Sequence, residues 1–103
     1  MERTRFDVEA LDELDPFEVD DQLAHLYKHQ GMDVFDVYEV WTDNPVFYPA
    51  RHDGAADWLM VGEATGAILL VPLAASNNPH KSRPIGVYKA GTELDRRYRE
   101  DSR

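Results

Sequence analysis

The sequence predicts an α+β domain: a small antiparallel sheet of three to four strands packed against two N-terminal helices and one C-terminal helix, in the order β-α-α-β-β-β-α. Three observations predict it. Apolar residues recur at helical spacing from Leu23 to Trp41. Three apolar runs, "DWLMVGEA", "AILLVPLAA" and "RPIGVYKA", then follow, separated by turn-forming residues. A polar segment, "TELDRRYRE", closes the chain with Leu94 and Tyr98 four apart on one helical face.

Residues 1–16 form an acidic tail with eight charges on a thin apolar skeleton of Phe6, Val8, Leu11 and Leu14, closed by Pro16. Such composition favours a solvated, mobile segment; the spacing of Val8, Leu11 and Leu14 leaves open a short helix laid on the body. Residues 17–103 then make one domain. "FEVD" at 17–20 alternates like a short strand, and Asp20 or Asp21 caps a helix to His29 that buries Leu23, Leu26 and Tyr27. Gly31 supplies its left-handed stop. Asp33 opens a second helix carrying Val34, Val37, Val40 and Trp41, which ends at "TDNP".

Val46 to Tyr48 is a short strand, and "PARHDGAA" a polar loop. "ATG" joins the next two strands in a tight hairpin turning at Gly66, and "SNNPHKS" is a longer, mobile loop. In the last helix Thr92 and Asp95 match a capping box, and Glu93 to Arg97 a favourable i,i+4 pair. Trp41, Trp58, Phe35, Phe47, Tyr38 and Tyr48 read mainly as core, with base stacking open to Tyr48 and Tyr88.

The 103 residues and 43% apolar content suit one modest core. The absence of cysteine excludes disulfides and thiolate metal sites. The first residues lack the apolar core of a signal peptide, and the longest apolar run, 67–75, is too short to span a bilayer, so a cytoplasmic protein with no membrane partner is expected. The formal charge of −9 is spread unevenly: residues 1–80 hold 4 Lys/Arg against 16 Asp/Glu, and residues 81–103 hold 7 against 4. The first block repels nucleic acid, leaving only the C-terminal segment for that role.

Three stretches in order carry a resemblance: "FEVDD…LYKHQGM", "WLMVGEATGAILLV" and "RPIGVYKAGTELDRRY". Together they resemble the BrnT family of toxins from bacterial type II toxin–antitoxin systems, over about residues 17–100. The resemblance implies a RelE-like fold, a metal-independent ribonuclease activity without cofactor, and an antitoxin protein as partner. Two departures fall where chemistry would sit: Glu63 stands at the family's hairpin arginine, and Tyr88 at its last-strand arginine. Both remove a cation that would neutralise the phosphate in the transition state.

On this resemblance His29 is the acid/base candidate, Lys89 and Tyr88 complete the catalytic set, and Lys28, Arg83, Arg96, Arg97 and Arg99 bind RNA, with Lys81 at the mouth of the preceding loop. Each has a structural alternative: His29 can complement helix carbonyls, and the arginines can complement the final helix's dipole or receive the acidic tail. His25 and His29 are four apart, as in a zinc site, yet the glutamate of a metalloprotease is missing and nothing fixes a third ligand among His52, His80 and Glu63, so no metal is expected. The leading expectation is a ribonuclease toxin or its diverged descendant. The runner-up is a non-catalytic protein-interaction domain that keeps the fold without the cationic pocket. Homo-oligomerisation through an edge strand at 46–48 stays open.

Overall fold

A computed structural model describes residues 4–51 and 54–102. Three helices and a five-stranded antiparallel sheet run in the order α-α-β-β-β-β-β-α, which corrects the predicted order. The predicted opening strand is reduced to one parallel bridge, Phe17 to Ser82, flanked by the Glu18 N to Ser82 O and Ser82 N to Pro16 O hydrogen bonds, both 2.8 Å. Pro16, with no N–H, and the capping duty of Asp20 leave room for no longer ladder.

Helix α1 spans Asp21–His29 and α2 spans Val34–Thr42. Asp20 Oδ1 accepts from Leu23 N at 2.9 Å, and Asp33 and Asp36 form a reciprocal capping box. Between them Gly31 adopts φ +73°, a conformation glycine enters without a Cβ penalty, and it ends α1 as expected. Leu23 and Tyr27 are buried, whereas Leu26 is left half outside. Tyr27 donates its hydroxyl to Pro84 O, and burial pushes its pKa up.

Strands β1 (Val46–Pro49), β2 (Trp58–Ala64) and β3 (Ala67–Ala75) form an antiparallel meander. Thr65 (φ 51°) and Gly66 (φ 80°) turn the β2–β3 hairpin, the double left-handed geometry that matches strand twist. The predicted last strand divides into β4 (Ser82–Pro84) and β5 (Tyr88–Lys89), both paired with β3. Pro84 pairs with Leu73 and Tyr88 with Leu70, so three residues, 85–87, face two, 71–72. This is a β-bulge, and it reverses which face the later residues occupy.

Alternation along β2 and β3 divides the core. Met60, Ala64, Leu69, Val71 and Leu73 pack with Leu23, Tyr27, Val37 and Val40 on the α1/α2 face. Val61, Ile68 and Tyr48 pack with Tyr98 of α3 (Thr92–Asp101) on the other. Gly62 lies where α2 crosses the sheet: an added Cβ would sit 3.0 Å from the Val40 side chain. The α3 start differs from expectation. Gly91 is the N-cap and gives no side-chain hydrogen bond, so Thr92 falls inside the first turn and the Thr92–Asp95 box does not form.

Residues 4–16 are bound to the body. Trp58 Nε1 donates to Phe6 O (2.8 Å) and Trp41 Nε1 to Glu13 O (3.0 Å). Arg5 donates to the carbonyls of Asp57 and Ala50, while buried Asp57 accepts from Phe6 N at 3.0 Å. Leu11 and Pro16 are buried, and Asp12 N donates to His80 O. Lys81 donates to Asp15 at 2.8 Å, holding that carboxyl below its ordinary pKa. The "SNNPHKS" loop is likewise held, with Ser76 Oγ donating to Asn78 O and Lys81 O at 2.8 Å each. Of the two readings of this segment, the one laid on the body holds: a single short helical turn, Val8–Ala10, lies within a strap seated on β2, α2 and residues 80–81, away from α3, and the loop expected to be mobile is held as well.

Candidate functional site

Two regions carry the residues singled out by sequence. The first lies where α1 ends against the bulged edge. Gln30 Oε1 accepts from Val87 N at 2.9 Å, bringing the end of the helix that holds Lys28 and His29 beside the strand that holds Tyr88 and Lys89. The His29 side chain lies outside the described residues, as does His52. Cross-strand partners share a face, so Lys89, opposite Leu69, belongs to the α1/α2 face, and Tyr88, opposite Leu70, to the α3 face. Strand alternation thus turns Tyr88 and Lys89 apart, and the bulge decides which face each takes. Tyr88 is 46% exposed, its ring over Gly86, so it is not core. No carboxylate among the described residues pairs with Lys28 or Lys89.

The second region is α3. Its arginines are engaged within the molecule. Arg96 binds Glu93 at 2.5 Å and Glu100 at 2.7 Å, and Arg99 binds Asp95 at 2.5 Å. Those hydrogen bonds hold the Glu93 carboxyl below its ordinary pKa and raise both guanidinium pKa values. Arg97 stacks over the Tyr48 ring at 4.7 Å, so the expected Glu93–Arg97 pair gives way to Glu93–Arg96. Tyr48 in turn donates to Asp101 at 2.6 Å, and burial, reinforced by that carboxylate, pushes its pKa up to about 12. Arg83 Nη2 lies 4.0 Å from Asp20, and Lys81 is spent on Asp15. With four carboxylates to three arginines, the helix is net negative.

Glu63 lies on β2 at the hairpin end, opposite Ile68 on the α3 face. It lines an open cleft of about 370 Å³ together with Glu39, Thr42, Asp43, Thr65 and Gly66. Glu39 Oε2 accepts from Thr65 N at 2.5 Å, tying α2 to the turn. The pKa of Tyr98, raised first by burial, is raised further by the charges of Asp43 and Glu63. The place where the resemblance expects a cation therefore carries three carboxylates. Sequence reading found Glu63 but missed Glu39, Asp43 and Thr65, because only the α2–β2 crossing assembles them. Among the described residues no cluster of His, Asp and Glu has the arrangement to hold a metal ion. No helix is long and apolar enough to cross a membrane among those residues. Comparison of the chain with family models, curated proteins and solved structures finds no match.

Proposed function

We propose that this chain is a non-catalytic protein-interaction domain, a diverged descendant of a BrnT-like, RelE-fold toxin that binds a protein partner and does not cleave RNA. The acidic cleft carries the reading: Glu63, where a phosphate-binding arginine would stand, has Glu39 and Asp43 beside it. Three carboxylates raise the energy of an approaching phosphodiester, and more so of its doubly charged transition state. Release of Arg96 or Arg99 to bind phosphate would break ion pairs already made. The partner class retained from the resemblance is a small antitoxin-like protein.

Ribonuclease activity is the second reading, favoured by the Gln30–Val87 contact that draws the end of α1 to the edge holding Lys89 and Tyr88. On it His29 moves the proton and Lys89 and Lys28 hold phosphate, while Tyr88, on the other face of the sheet, has no part in that site. Incubation of the purified protein with total RNA at low salt separates the two. Intact RNA is expected; fragments that vanish with His29→Ala would overturn the interaction reading.

A further inference from the structure

Phe35 is 77% exposed in the first turn of α2, although as a large aromatic it is expected in the core. Its position explains the difference. Val37 and Val40 point to the sheet, so Phe35, Glu39 and Thr42, at i, i+4 and i+7, form the opposite, outward face. Nothing in the fold needs an aromatic ring there, and Asp33 already caps the helix.

The same face leads into the cleft. Glu39 and Thr42 line it, Asp43 follows them, and Glu63 closes it from β2. Neither Asp43 nor Glu63 forms an ion pair with a Lys or Arg among the described residues, although Arg99, already bonded to Asp95, is near enough for the Glu63 charge to help raise its pKa. Phe35 and Thr42 stand ~10 Å apart along the axis at ~1.5 Å per residue, within reach of two side chains on one bound helix or strand. An apolar platform beside a carboxylate-lined recess selects its occupant by charge. A phosphate backbone is repelled, and a neutral apolar segment would leave the carboxylates desolvated and uncompensated. A second copy of this acidic chain is disfavoured by the same field.

We infer that the outward face of α2 is the docking surface for a cationic segment of a partner protein, an arginine or lysine entering the Glu39–Asp43–Glu63 cleft while an apolar side chain one to two turns away covers Phe35. This rests on the interaction-domain reading and names the surface that it uses. Exposed aromatics that become buried at interfaces carry a disproportionate share of affinity, and the carboxylates add orientation and a salt-sensitive association rate.

The test selects twelve-residue peptides from a random phage-displayed library against the full chain. Enriched peptides are expected to combine Lys or Arg with Leu or an aromatic, and to shift amide resonances of residues 35–43 and 62–66 in the wild-type protein. A synthetic representative should bind Phe35→Ser, and separately Asp43→Asn/Glu63→Gln, at least tenfold more weakly, with both variants keeping the wild-type circular dichroism spectrum. Absence of enrichment, acidic winners, or shifts confined to other surfaces would overturn the assignment. Peptides that bind elsewhere sink this surface and spare the interaction reading, whereas His29-dependent RNA cleavage sinks that reading itself.

Discussion

Asp57 shows how much one residue can organise. It is 5% exposed; its carboxylate accepts from Phe6 N, its carbonyl accepts from Arg5 Nε and Ala50 N, and its N–H donates to Leu73 O at 2.8 Å. Replacing Asp57 by Ala strands the Phe6 N–H and loosens the strap, and should cost about 1–3 kcal/mol in urea unfolding. A change within experimental error would show that the strap contributes little. The tyrosines give a second expectation at this scale. Burial pushes Tyr38 and Tyr48 each up to about 12, aided by hydrogen bonds to Asp15 and Asp101. A phenol whose folded pKa is raised contributes stability that is complete below its ordinary value of about 10 and is lost as pH rises through about 12. Stability should therefore fall between pH 10 and 12, with part of the absorbance change at 295 nm delayed to the upper end. Titration of all five tyrosines together near pH 10 would contradict the packing.

Among the elements, the N-terminal strap departs most from what the sequence suggested. Both indole N–H groups donate to its carbonyls, at Phe6 and Glu13. Deleting residues 1–15 should shift tryptophan emission to the red and lower the melting temperature; an unchanged spectrum would return the segment to the status of a solvated tail. The reason it was misread is physical. Much of its anchoring runs through backbone carbonyls and the Asp57 carboxylate, which leave no periodic trace, and charged side chains that read as disorder, Arg5 and Asp15, are themselves bonded to the body. Both N-terminal helices and the β2–β3 hairpin were legible because caps, a glycine at Gly31 and Gly66, and period changes mark them locally. The bulge at 85–87 was not, since an extra residue shows only once the partner strand is known. The α3 arginines were legible as cations and misleading as a surface, because their i,i+3 and i,i+4 acids are in the sequence but the choice among them depends on Tyr48, which draws Arg97 away.

For the whole molecule, the uneven charge of the sequence folds into an acidic α2–β2 end and an α3 whose arginines are internally matched. Residues 81–103 hold a surplus of three cations, yet the helix they supply is net negative. Counterion release, the source of most affinity for nucleic acid, requires cations free to meet phosphates. Among the described residues near the α1 end, Lys28 and Lys89 approach that condition, and so few contacts give weak, salt-sensitive binding. The direct measurement is fluorescence anisotropy of a labelled single-stranded RNA titrated with the protein at low salt. With its cations so matched, the protein should show no saturable binding up to high micromolar concentration. Saturable binding, weakened by added salt and abolished by Lys89→Ala, would contradict that.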